Sequence, residues 1–244
     1  MKTLFSYILT PIYYLFFGLG LLFFHVVQWL GYNLFGYKGH KWAVDRMNRY
    51  LMSCLYILGT KITFIHPHSL PKDAPLILVS NHQSMYDISP LAWFLRTLHP
   101  KFVAKKELEK GIPSISYNLN HGGSVLIDRR DARQSLTALA KFGKFIKKNN
   151  YAAVIFPEGT RSIDGSPKAF SSNGLKMLVK YAPGAYVVPV SINNCWKITQ
   201  YGKFPLGVGA HISFEIHEAI KVDSMPFKDL FTLTEKIVKE GIRY

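Results

Sequence analysis

A histidine and an aspartate five residues apart, in Asn81-His82-Gln83-Ser84-Met85-Tyr86-Asp87, form the first group able to do chemistry. They follow the aliphatic run PLILVS. On a tight turn entering a helix, such a carboxylate hydrogen-bonds one imidazole nitrogen, fixes the tautomer and leaves the other nitrogen free to take a proton. This is the His–Asp half of a hydrolase triad, without the Ser or Cys motif that would complete it. The missing nucleophile would then be a substrate hydroxyl. The plainer alternative is that Asp87 caps a helix and His82 is incidental. A second group, Pro157-Glu158-Gly159-Thr160-Arg161-Ser162, follows AAVIF. Here a glycine lets backbone amides approach an anion, and the planar fork of arginine binds two phosphate oxygens at once. Arg129, in Asp128-Arg129-Arg130 after SVLI, and Lys105 with Lys106 after KFVA, add cations at two more run ends. Solvated basic loops are the alternative for these residues.

Residues at run ends act together only if the runs are strands of one sheet. Short β-branched or aliphatic runs occupy 61–65, 75–80, 101–104, 124–127, 152–156, 186–192 and 211–217. Helical segments fall between several of them, at 87–97, 131–148, 172–181 and 226–243. That alternation predicts an α/β fold, with a mostly parallel central sheet flanked by helices. Ligands of such sheets gather beyond the carboxyl ends of the strands, so His82, Lys105, Arg129 and Arg161 are expected around one crevice. The 131–148 segment is the clearest helix, with Leu136, Leu139 and Ile146 on one face and Lys141, Lys144, Lys147 and Lys148 largely around it. Those lysines read as a solvated surface, or as an attraction for anionic lipid, an acidic carrier protein or CoA phosphates.

The start of the chain is of another kind. Between Lys2 and Lys38 there is no Asp, Glu, Lys or Arg. A spanning helix needs about 20 apolar residues; this stretch is longer, and Pro11, Gly18, Gly20 and Gly31 interrupt it. Two membrane placements fit: one tilted spanning helix from Ile12 to Leu34, or a helical hairpin that enters one leaflet and returns near the glycines. A buried soluble helix pair is the third option. Its dense aromatics suit a membrane interface, whereas a cleaved signal peptide would be shorter and followed by small residues. Residues 41–59 continue as a second helix. A boundary near residue 60 is expected, with membrane-anchoring helices over 1–60 and a catalytic body over 61–244.

Composition narrows the class. The chain has 244 residues, 48% of them hydrophobic and 18% charged, which excludes a disordered tail and a coiled coil. Cys54 and Cys195 are isolated and read as buried small hydrophobes, so neither a disulfide framework nor a cysteine-rich metal site is expected. The net charge of +15 points to nucleic acid, an anionic membrane or a phosphorylated substrate. Nucleic acid rests on charge alone, since no recognition motif accompanies it. His121, in NLNHGG, reads as a loop histidine, and His211 and His217 as surface or satisfied core residues of a strand.

In combination these blocks resemble the lysophospholipid acyltransferase family, and most closely its bacterial 1-acylglycerol-3-phosphate acyltransferases. NHQSMYD (81–87), GSVLIDR (123–129), FPEGTRS (156–162) and YVVPV (186–190) match four family blocks in order, although Ala185 stands where the fourth usually begins with a larger aliphatic residue. The resemblance implies a glycerolipid acyltransferase-like fold. It makes His82 and Asp87 the catalytic pair, and Arg129, Glu158, Gly159, Thr160 and Arg161 part of the acceptor site, with Lys105 as a helper. It also implies acyl transfer from acyl-CoA or acyl-carrier protein to the sn-2 hydroxyl of lysophosphatidic acid, with no cofactor or metal. Another lysophospholipid or a lyso-aminolipid is the alternative acceptor, and a non-catalytic lipid-binding protein the alternative class. The expected partners are the lipid bilayer, the lysophospholipid and the acyl donor, with no nucleic acid. The expected location is the inner or plasma membrane, with the body on the cytoplasmic face.

Overall fold

The structure, a computed structural model, describes residues 2–243. Among the described residues eight strands form one sheet: β1 (Lys61–Ile65), β2 (Leu76–Ser80), β3 (Lys101–Lys105), β4 (Val125–Ile127), β5 (Ala152–Ile155), β6 (Tyr186–Asn193), β7 (His211–Ile216) and β8 (Ile220–Lys221). Their order is β1-β7-β6-β2-β5-β3-β4, with β8 paired to β6. Pairing is parallel throughout except where β6 meets β7 and β8. The predicted mostly parallel sheet is therefore present. The central strand β2 is buried along its whole length, as its unbroken aliphatic run requires.

Helices cover both faces. On one face α4 (Ala132–Asn149), α5 (Ser172–Tyr181) and α6 (Phe227–Glu240) pack Phe142, Ile146, Leu175 and Val238 against Ile77 and Val79 of β2. The opposite side chains of β2, Leu76 and Leu78, join a second core. That core also takes in Leu91 of α2 (Ile88–Phe94), and Tyr13 and Leu55 from the amino-terminal region. It is thus continuous across residue 60. A further short helix, α3 (Ile115–His121), borders the amino-terminal region.

The amino-terminal element α1 (Lys2–Cys54) is helical except at Gly36, whose φ of 60° and ψ of −146° reverse the chain. Positive φ of this kind is the glycine region of the backbone map. The arms, residues 2–35 and 37–54, run antiparallel: the Tyr50 hydroxyl donates to the Phe16 carbonyl at 3.1 Å, and Gln28 meets Met47. A Cβ added at Gly31 would lie 2.8 Å from the Gly39 carbonyl oxygen, so this pair lets the arms close near the bend. The chain folds back as a helical hairpin, the shape shared by the one-leaflet and the buried-pair readings, and not as one straight helix. Its reversal is at Gly36 rather than at Gly18, Gly20 or Gly31. A glycine within a helix costs only about 1 kcal/mol against alanine, and Gly20 and Gly31 serve instead as close contacts between arms.

Candidate active site

Each polar residue of the 81–87 block has a distinct task. Asn81 bridges β2 to β6, donating to the Ile192 carbonyl at 2.9 Å and accepting the Ile192 N–H at 2.8 Å. The Gln83 side chain accepts the Cys195 N–H at 2.8 Å. Ser84 caps the 3-10 turn Met85–Asp87 in a capping box with Asp87. Asp87, fully buried, accepts the N–H groups of Gln83 and Ser84 on Oδ2, at 2.8 and 3.0 Å. The same oxygen lies 2.8 Å from His82 Nδ1. Capping and orienting the histidine, alternatives in the sequence, are done by one carboxylate. With Nδ1 engaged, Nε2 is the ring nitrogen left for a substrate.

The second motif holds the first. The Phe156 ring stacks on the His82 imidazole, with centroids 4.2 Å apart. Oε1 of Glu158 accepts the His82 N–H at 3.1 Å, and the Ser162 N–H donates to the His82 carbonyl at 2.8 Å. His82 is thus gripped at its ring and at both ends of its peptide. Gly159 makes the intervening turn with φ of +70° and has open space where a Cβ would be. Lys168 ties the loop from outside, donating to the Thr160 hydroxyl and the Arg161 carbonyl at 2.9 and 2.8 Å. Burial pushes the Glu158 carboxyl up to about 7, with Asp87 adding to the rise and the His82 N–H and Lys168 opposing it.

His82, Lys105, Arg129, Gly159, Thr160 and Arg161 all line one cavity of about 930 Å³. Asp87 and Glu158 stand behind His82. Arg129 and Arg161 are both exposed and close enough to feel each other. Partial burial lowers the Arg129 pKa and the charge of Arg161 lowers it further, while Glu107 pulls the other way. Two guanidinium groups at one mouth suit an anion with several oxygens.

Sequence reading missed most of the cavity. It runs beside β3 from Lys105 at the carboxyl end to Lys101 at the other, about 13 Å at the usual strand rise. Its wall includes Val44, Met47 and Leu51 from the second arm of α1, Ala92 of α2, and Ile115 and Leu119 of α3. At the far end Lys101 is 4% exposed and donates to the Tyr37 hydroxyl at 3.0 Å. Burial brings its pKa down to about 7; Lys41 lowers it further and Asp45 opposes the fall. Lys203, from the loop after β6, also borders the cavity. These residues come from between Tyr37 and Lys203, and only the short aliphatic run KFVA (101–104) gives any hint of a strand there. His121 ends α3 rather than lying in a loop, and its ring stacks on Tyr117. His217 is satisfied by the Ser191 hydroxyl at 2.8 Å. Both cysteines are buried and free.

Residues 61–193, more than half of the chain, match the acyltransferase family model. The chain belongs to the acyltransferase family. Within that family it is 32% identical to a 1-acyl-sn-glycerol-3-phosphate acyltransferase of Helicobacter pylori, over 69% of this chain and 71% of that one. It is 30% identical to one of Chlamydomonas reinhardtii, over 66% and 47%, and 29% identical to one of Borreliella burgdorferi, over 57% and 54%. The chain spans about half the length of these last two relatives. The crystal structure of the 1-acyl-sn-glycerophosphate acyltransferase PlsC from Thermotoga maritima superposes with a TM-score of 0.79 at 25% identity. That superposition covers 99% of this chain and 96% of the other, so the likeness extends through the hairpin.

Proposed function

We propose that the protein transfers a fatty acyl group from a thioester, acyl-CoA or acyl-carrier protein, to the sn-2 hydroxyl of lysophosphatidic acid, giving phosphatidic acid. The observation that carries this reading is the 2.8 Å His82–Asp87 pair opening onto a cavity whose mouth holds Arg129 and Arg161. Nε2 of His82 takes the proton as the hydroxyl oxygen attacks the thioester carbonyl. Collapse of the tetrahedral intermediate expels the thiolate, which takes that proton back from the imidazolium. The ring ends neutral, and no enzyme nucleophile is consumed. Asp87 holds the tautomer and steadies the transient imidazolium. The acceptor phosphate sits against Arg129 and Arg161, with Lys105 beside them. The donor's chain enters the cavity along β3, where each buried methylene contributes about 0.8 kcal/mol.

The hairpin supports a place for the reaction. The first arm is about 50 Å long at the helical rise and touches the body at Thr10–Leu206, Leu21–Ser114 and His25–Ser114. An arm held along its length against the body leaves only its outer side for lipid. Ile8, Ile12, Leu15, Leu19, Leu22 and Val26 form that side, spaced three and four residues apart and all exposed. We therefore place the outer side of the first arm within one leaflet, on the cytoplasmic side of the inner or plasma membrane, where the basic body satisfies the positive-inside tendency.

The test is acyl transfer by the membrane-reconstituted protein against a panel of acceptors with both donors. His82→Ala lowers kcat by about 10²–10⁴-fold while the protein stays folded and vesicle-bound; retention of most activity overturns the proposed base. Arg161→Ala raises KM for lysophosphatidic acid about 10- to 100-fold, the range of a charge-assisted hydrogen bond, and leaves KM for the donor nearly unchanged. Equal effects on both substrates remove the phosphate role. Preference for an acceptor without a phosphate monoester would replace lysophosphatidic acid with that lipid.

A further inference from the structure

The two helices beside the cavity mouth carry a surface of one sign. On α4, Arg133, Lys141, Lys144 and Lys148 are exposed and recur at helical spacing, and on α5 Lys176 and Lys180 are exposed in the same way. Neither helix contains an Asp or Glu. Among the described residues no carboxylate forms a salt bridge with any of these six cations. The helices are packed side by side, and Lys144 and Lys180 each lie 5.5 Å from the Tyr181 ring, which joins the two rows into one surface. Ala132 and Leu136 of α4, and Asn173 and Gly174 of α5, line the cavity, so the surface begins at its mouth.

Position decides what meets this surface. The α4 and α5 helices cover the sheet face bearing Ile77 and Val79, while the hairpin covers the face bearing Leu76 and Leu78. A protein seated in a leaflet through the outer side of its hairpin turns α4 and α5 away from the lipid. A basic surface facing water beside the donor entrance is matched by a soluble acidic partner, and electrostatic complementarity speeds such encounters and fixes register. We propose that the outer surface of α4 and α5 docks an acyl carrier protein, a small acidic protein that delivers the acyl chain as a thioester on its phosphopantetheine arm. This rests on the acyl-transfer reading above and names the donor's docking site.

The test uses the full-length protein in phospholipid nanodiscs and a purified acyl-carrier protein loaded with a fatty acyl group. Lys144→Glu combined with Lys180→Glu is compared with wild type and with Lys144→Arg combined with Lys180→Arg. Both positions are exposed, and unfolding midpoints report whether the fold is kept. The expected result is a KM for acyl-carrier protein raised at least tenfold by the glutamates and within twofold of wild type for the arginines. KM for acyl-CoA changes less than twofold, and sedimentation with phosphatidylglycerol vesicles is unchanged. An unchanged KM for acyl-carrier protein overturns the proposal, as does an equal rise for both donors. Loss of vesicle binding by the glutamate variant also overturns it and assigns the surface to the membrane. Direct titration of carrier protein onto the nanodiscs separates this proposal from the reaction itself. If wild type transfers from neither donor, the acyl-transfer reading fails, and the docking surface is upheld or rejected by whether the glutamates weaken that binding tenfold.

Discussion

Oδ2 of Asp87 accepts three hydrogen bonds, two from the turn that Asp87 itself closes and one from the His82 ring. All four residues lie within 82–87, and for that reason the sequence exposes the pair: local spacing dictates a local turn. The Glu158–His82 contact has no such signature, because its partners are 76 residues apart and meet only when β2 and β5 pair. Glu158 shows what this support costs. Burial holds its carboxyl at about 7 in the folded protein, against 4.5 for an ordinary glutamate. Between those values the folded chain keeps a proton that the unfolded chain releases, so stability falls as pH rises through that window and levels off above it. Glu158→Gln keeps an oxygen for the His82 N–H and has no proton to lose. The wild-type protein should therefore lose on the order of 1–3 kcal/mol relative to this variant between pH 5 and pH 7.5, read from denaturant unfolding at each pH. A constant difference across that range would show that Glu158 titrates as an ordinary surface carboxylate.

At the scale of elements, the strands were legible because each is a compact run of β-branched or aliphatic residues bounded by polar turns. The two-residue strand β8 and the seven-residue helix α3 were not. Ile220–Lys221 is too short for any period, and α3 begins after Ser114, which has a φ of 62° and hydrogen-bonds Leu21 and His25 of the hairpin, partners far off in sequence. The turn of the hairpin was misplaced because four glycines in the first 36 residues look alike in sequence. Only packing distinguishes Gly36, which bends, from Gly20, which makes room for Tyr50. Gly39→Val tests that packing. Its side chain has to enter the Gly31 backbone, an overpacking that costs about 1–3 kcal/mol, seen as a lower unfolding midpoint. Substitution at Gly18, where an added Cβ meets nothing within 4 Å, should leave the midpoint unchanged or raise it.

The whole molecule has two outward sides of opposite character, an apolar arm on one face of the sheet and basic helices on the other. The net charge of +15 and the uncharged beginning of the chain were both plain in the sequence; their assignment to opposite sides required the sheet between them. Lys substitutions at Leu19 and Val26, both more than half exposed, should weaken vesicle association at least tenfold without moving the unfolding midpoint, because neither side chain is part of a core. Cosedimentation and thermal unfolding measure the two effects separately.

Val44, Met47 and Leu51 belong to the hairpin and also wall the cavity. Under the proposed function, chain length preference and membrane attachment are therefore inherited together. A hybrid joined at residue 60 would receive half of its measuring device from one parent and half from the other. Exchanging the hairpin between two relatives should carry part of the donor's acyl preference with it, and enlarging Ala92 to leucine across the same space should shift the incorporated chains toward shorter lengths, as gas chromatography of the product would record. On the proposed reading, the part of the chain that fastens the enzyme to lipid also gauges what is put into it.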